Sequence, residues 1–280
     1  VFGSYLYVGT WNWDNGCQVW RSPDGSNWEQ VVGGAAAPDP GPGFGDVSNI
    51  AVGAMSVFGT YLYAGTWNSD TGCQIWRSSD GTTWEQVKKE GFGDGNNRAV
   101  GAMSVFGPYL YVGTQNGGTG CQVWRSSDGI AWNPANIDGF GDVNNTSIYS
   151  MSVYGSYLYV GTTACQVWRS SDGTSWYQVN EDGFGYDSNW EVSSMSVFGS
   201  CLYVGTFNPE TGSPSTGCQV WKSYDGPTWN PVNIDGFGDV HNWSATSMSV
   251  FGPYLYVGTS QGYNGCNVWR TAGTHVVEAS

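Results

Sequence analysis

The stretch Tyr109-Leu110-Tyr111-Val112-Gly113-Thr114, followed after a short loop by Cys121-Gln122-Val123-Trp124-Arg125-Ser126, decides the fold. Tyr109 to Thr114 predicts a strand in which Leu110 and Val112 face one way and Tyr109 and Tyr111 the other. Both faces are therefore apolar, and both must be covered. Upstream, Ala102 to Phe106 predicts a first strand closed by the two-residue turn Gly107-Pro108. Downstream, Cys121 to Arg125 predicts a third strand, and Ser126-Ser127-Asp128-Gly129 turns into a fourth, Ala131 to Ala135. The unit is a four-stranded antiparallel meander.

The same unit recurs along the whole chain. Its second strand begins at Tyr5, Tyr61, Tyr109, Tyr157, Cys201 and Tyr254, a period of about 50 residues, in the range of propeller blades. Sheets that are apolar on both faces are satisfied by stacking around an axis. The expectation is an all-β chain, a six-bladed β-propeller of four-stranded antiparallel blades. It forms one domain over residues 1–280, with repeats beginning near residues 1, 55, 103, 151, 195 and 248. The first copy keeps only Val1-Phe2 of its innermost strand, and Thr274 to Glu278 closes the last as an outer strand.

Charge excludes one class of partner. Lys and Arg number 9 against 23 Asp and Glu, a net charge of −14, which repels a nucleic-acid backbone. Six of the nine cations, Arg21, Arg77, Arg125, Arg169, Lys222 and Arg270, hold one repeat position. No apolar run reaches the ~18 residues of a membrane helix, so no membrane insertion is expected. The chain opens at Val1 partway through its repeat, which points to a processed or excised segment with flanking domains in a longer protein.

The turn Ser22-Pro23-Asp24-Gly25-Ser26-Asn27-Trp28 recurs around Asp80, Asp128, Asp172 and Asp225. It resembles the Asp-box, or BNR, repeat of sialidase-type propellers in a variant one residue shorter between Asp and Gly. The sixth copy carries Thr271-Ala272-Gly273 instead. The resemblance implies a structural hairpin lying away from the active face. Turn chemistry agrees: Asp accepts backbone N–H bonds, and Gly takes positive φ.

Sialidase chemistry needs clustered arginines and a nucleophile paired with acids. Here arginine is dispersed, found almost wholly at one position of the repeat, and acids such as Glu181 and Asp182 do not stand out from the neighbouring copies. The chain reads as non-enzymatic. Cys17, Cys73, Cys121, Cys165, Cys218 and Cys266 share one repeat position, and Cys201 replaces a strand tyrosine. Their spacing around a ring excludes disulfides and a shared metal, and all seven read as buried small hydrophobes.

Function is expected in the loops of one face. After Gly-Thr come Trp11-Asn12, Trp67-Asn68, Gln115-Asn116 and Phe207-Asn208, with Thr163 and Ser260-Gln261 as departures. An aromatic ring covers the C–H face of a sugar while an amide bonds its hydroxyls; the same rings serve equally as lids on the blade interface. The Gly-Phe-Gly-Asp connections supply Asp46, Asp94, Asp142, Asp187 and Asp239 as oxygen donors for Ca²⁺, or as Asx turns. No other cofactor is indicated. Asn144, Asn145 and Asn242 begin glycosylation acceptor patterns. These features predict a lectin-like module at a cell surface or outside the cell, reading glycans through several similar sites. The alternatives are a structural or adhesive unit that self-assembles, and a hydrolase on a sialidase-like scaffold.

Overall fold

The computed structural model describes residues 1–34, 39–209, 216–262, 265–272 and 275–278. They form an all-β, propeller-type arrangement of antiparallel meanders. By packing, the chain divides into two compact units, Val1–Ser147 and Ile148–Ser280, and the division falls at a repeat edge.

In the first unit, the strands Asn49–Phe58, Tyr61–Asn68, Ile75–Ser78 and Glu85–Lys88 make one meander. Asn97–Phe106, Tyr109–Asn116, Val123–Ser126 and Asn133–Pro134 make the next. The second unit holds three further four-stranded meanders, whose first strands are Ile148–Tyr154, Glu191–Phe198 and Ser244–Phe251. The opening copy differs from expectation. Only Leu6–Gly9, Val19–Ser22 and Glu29–Val32 form its sheet, and Val1-Phe2 contributes a single Phe2–Tyr5 bridge.

First strands are longer than their apolar run suggested, because the ladder continues through the polar residues at Asn97 and Asn49. Fourth strands are shorter. In three copies they shrink to two residues, Asn133–Pro134, Tyr177–Gln178 and Asn230–Pro231. There a side chain completes the pairing: Asn136, Asn180 and Asn233 accept the backbone N–H of Val123, Val167 and Val220, each at 2.7 Å. In the first two copies the third strand pairs through backbone instead, Val19 with Val32 and Ile75 with Lys88.

Second strands carry the core. Leu110, Tyr111 and Val112 are all buried, as the two-sided apolar pattern requires. In four copies the glycine before the strand threonine, Gly9, Gly65, Gly161 or Gly205, faces the next copy's first strand: a β-carbon on Gly65 would lie 2.6 Å from Val100 Cβ, and one on Gly205 2.7 Å from Ala245 Cβ. Side chains would hold the sheets apart. Three of the Asp-Gly turns pack onto the preceding copy: Gly81, Gly129 and Gly226 sit so close over the phenols of Tyr7, Tyr63 and Tyr159 that no side chain fits, whereas Gly25 of the first copy is open.

The repeated arginine has a local role. Its guanidinium lies over the first tyrosine of the second strand, at 4.5 Å for Arg21 on Tyr5, 4.3 Å for Arg77 on Tyr61 and 4.7 Å for Arg125 on Tyr109. Arg169 on Tyr157 and Arg270 on Tyr254 repeat the contact. Where Cys201 replaces the tyrosine, Lys222 replaces the arginine and lies 5.6 Å over Tyr224 instead. Tyr203, not Cys201, is the strand partner of Lys222.

Candidate functional site: a row of paired residues at the ends of the second strands

Within each unit the residues after Gly-Thr fall on a row. Trp11 pairs with Ala51, Ala51 with Trp67, Trp67 with Ala99, Ala99 with Gln115, and Gln115 with Ser147. In the second unit the row runs Thr163, Glu191, Phe207, Ser244, Ser260. Directly paired residues present neighbouring side chains on one side of a ladder. The row therefore alternates one residue from a second strand or its loop with one from a first strand.

In the first unit the alternation is large and small. The buried methyls of Ala51 and Ala99 leave room for the indoles beside them. Trp11 and Trp67 approach to 4.9 Å between ring centroids, and Trp13 joins at 5.6 Å from Trp11 and 6.3 Å from Trp67. Trp11 is 55% exposed and Trp13 66%. Three neighbouring indoles with two held open to solvent make a platform, since buried packing would hide them. The sequence reading named Trp11 and Trp67 but missed Trp13, which lies inside the loop without repeat support.

The amides next to these rings have a different role. Asn68, Asn116 and Asn208 are buried. Asn68 Nδ2 donates to Asp46 at 2.9 Å and to Asn49 Oδ1 at 3.1 Å, and its Oδ1 accepts from the N–H groups of Asp70 and Thr71. Asn116 repeats this with Asp94, Asn97, Gly118 and Thr119. Asn208 Nδ2 donates to Ser188, Asn189 and Thr216. These three amides brace the loop and are closed to a ligand. Asn12 is half-buried, with its Oδ1 engaged by the N–H groups of Asp14 and Asn15. Gln115 and Phe207 are half-buried on the row.

The brace centres on the asparagine at the start of the first strand. Asn49 Nδ2 donates to Gly43 O at 2.8 Å and to Gln74 Oε1 at 2.9 Å, and its Oδ1 accepts from Thr66 and Asn68. Asn97 and Asn189 repeat the pattern, and Asn242 keeps its bonds to Gly236 and Thr259. Asn145 and Asn242 are buried, so their acceptor patterns are not open to glycosylation.

The aspartates considered for calcium serve the same loops. Asp46 Oδ1 accepts from the Ser48 N–H, and its Oδ2 from Asn68 and Gln74. Asp94 bonds the Asn96 N–H and Asn116, which holds its carboxyl below the usual range. Asp142 accepts twice from Asn144, and Asp239 from the backbone and ring of His241. In the fifth copy Tyr186 holds this place, so Asp187 stands one residue out of register and exposed. Among the described residues no three His, Cys, Asp or Glu side chains gather to hold a metal.

The phenylalanine of each Gly-Phe-Gly connection adopts positive φ, 59° at Phe44 between Gly43 and Gly45. That conformation costs roughly 1–2 kcal/mol for a non-glycine residue. It is offset by packing: Phe44 stacks on Trp76 at 4.9 Å and meets Trp84 edge-on at 5.5 Å. Phe92 and Phe184 do the same with Trp124 and Trp132, and with Trp221 and Trp229.

Asp24, Asp80, Asp128 and Asp172 each accept the N–H groups two and three residues ahead through Oδ1, and Asp225 that of Thr228. These bonds to the charged form pull all five carboxyls below their ordinary value. Cys17, Cys73, Cys121, Cys165, Cys201 and Cys218 are buried, and burial pushes the Cys17 and Cys218 thiols up to about 12. Cys266 departs from the expectation: it is exposed.

No protein-family model matches the chain, and no curated protein matches it. Solved structures do. A provisionally named 6-phosphogluconolactonase from Bacteroides uniformis aligns with a TM-score of 0.61 at 15% identity, over 98% of this chain and 80% of that one. YCF48 bound to D1 peptide aligns at 0.60 and 11% identity, over 99% and 84%. The computationally designed Ika8 protein aligns at 0.55 and 12%, over 98% and 70%. At such identities the likeness is one of fold.

Proposed function

We propose that the six repeats close into a six-bladed, Asp-box-like β-propeller that works as a non-enzymatic, lectin-like module on glycans at a cell surface or outside the cell. The observation that carries the reading is the exposed Trp11–Trp13–Trp67 platform. Indole faces cover the C–H face of a pyranose and leave its hydroxyls to water and neighbouring polar groups. Dispersed arginines, five of them stacked on a tyrosine of their own copy, support binding over sialidase-type catalysis. Calcium has no part in the proposed site, since the loop aspartates are engaged by the protein's own N–H donors.

A glycan array, run with calcium and again with chelator, tests the reading. Binding that persists with chelator and is lost in Trp67→Ala supports it. No binding in either condition sinks it, and binding that needs calcium moves the site to the aspartate loops.

A further inference from the structure

Glu191 breaks the pattern of the row. The four other first-strand positions are Ala51, Ala99, Ser147 and Ser244; only here does a carboxylate stand. It is paired on one side with Thr163 and on the other with Phe207. Phe207 in turn meets Trp190 edge-on at 6.4 Å, and Trp190 is 49% exposed. Glu191 Oε1 accepts from Ser193 Oγ at 3.2 Å, Ser193 also bonds Ser244 at 3.1 Å, and Tyr149 reaches the same carboxyl. Among the described residues no lysine, arginine or histidine pairs with it.

A half-buried carboxylate held by hydroxyls alone is short of positive charge. Burial accordingly pushes Glu191 above the ordinary carboxylate range, opposed only by its bonds to Ser193 and Tyr149. A structural role would pair such a charge with a cation from a neighbouring strand, as Arg77 meets Glu85 at 2.5 Å. The rings beside it suit an organic cation, because aromatic faces and a carboxylate together attract an ammonium.

We propose that Glu191, with Phe207 and Trp190, forms a second binding site that takes a primary ammonium carried on a sugar ring, an unacetylated hexosamine unit. The sugar ring rests on the glycan reading above; the ammonium rests on Glu191 alone. The site differs in chemistry from the uncharged tryptophan platform of the first unit.

Calorimetric titration of the whole chain with glucosamine tetramer, N-acetylglucosamine tetramer and cyclohexylammonium tests it. The free amine is expected to bind at least tenfold more tightly than the acetylated oligomer. Glu191→Gln, which keeps the Ser193 contact and is checked by a thermal melt no lower than the parent's, is expected to remove that preference, and Trp67→Ala to leave it. Equal affinity for the two oligomers, or a preference that survives Glu191→Gln, overturns the site. Cyclohexylammonium separates this proposal from the glycan reading. If it binds through Glu191 while no neutral glycan binds, the ammonium site stands and the glycan reading fails. If neither it nor the glucosamine tetramer binds, the site is overturned.

Discussion

Thr66 Oγ1 donates to Asn49 Oδ1 at 3.0 Å, tying the connection that enters a repeat to the second strand of that repeat. The same threonine oxygen accepts the Gln74 N–H at 3.0 Å, and Gln74 Oε1 receives Asn49 Nδ2 and the Trp76 indole N–H. Asn49, Thr66 and Gln74 thus form one closed hydrogen-bond circuit inside the molecule, to which Trp76 is joined. Fully satisfied buried networks fix a single arrangement, and partly satisfied ones are costly.

Removing the centre of that circuit should be expensive. Asn49→Ala or Asn97→Ala removes four side-chain hydrogen bonds and leaves the Gly43 or Gly91 carbonyl with the Asp46 or Asp94 N–H alone, and each buried bond lost costs about 0.5–1.5 kcal/mol net. A loss of ~3 kcal/mol in urea unfolding is expected, against a few tenths for the exposed Asn144→Ala. A loss below 1 kcal/mol at Asn97 would refute the brace.

The Asp-Gly turn should be coupled to the tyrosine of the preceding copy. Gly129→Ala drives a methyl into the Tyr63 phenol oxygen at φ +74°, and a loss of about 2 kcal/mol or more is expected. Tyr63→Phe removes that oxygen, so the double variant should lose less than the sum of the singles. Strict additivity in the double-mutant cycle would show that the turn and the phenol are independent.

Thiol chemistry should separate one cysteine from six. Native protein treated with a thiol reagent should modify Cys266 rapidly and the other six only on unfolding, since burial shields them and raises Cys17 and Cys218 to about 12. Mass spectrometry should find one adduct before denaturation and seven after. Rapid modification of Cys73 or Cys121 would contradict their burial.

Acid should unfold the protein through its turns. The five turn aspartates are held below their unfolded value of about 3.9, so the stability they contribute is present above that pH and is lost as pH falls through their folded values. Glu191 has the opposite sign. Its raised folded value favours the protonated form, a contribution present below its unfolded value of about 4.3 and lost as pH rises. Urea midpoints should fall below pH ~4, and Glu191→Gln should be at least as stable as the parent at neutral pH. A Glu191→Gln variant weaker than the parent at neutral pH would reverse the sign argued here.

The repeat by itself determined the strands, their order and their antiparallel pairing. Two-sided apolar strands such as Tyr109 to Thr114, punctuated by Gly107-Pro108 and Asp128-Gly129, leave few other ways to hide both faces. It determined too that Trp11 and Trp67 share an environment, because they occupy one position in two copies. Only the tertiary structure decided which neighbouring side chains face solvent. Asn12 and Asn68 look equivalent in sequence, yet Asn68 is closed into a brace because Asp46 and Asn49 come to it from residues far along the chain. Trp13 and Glu191 carry no repeat signal at all. They gain meaning from the strand pairings that bring Trp11 and Trp67 together beside the Trp13 loop and set Glu191 between Thr163 and Phe207, and such pairings depend on distances across strands that no local pattern records.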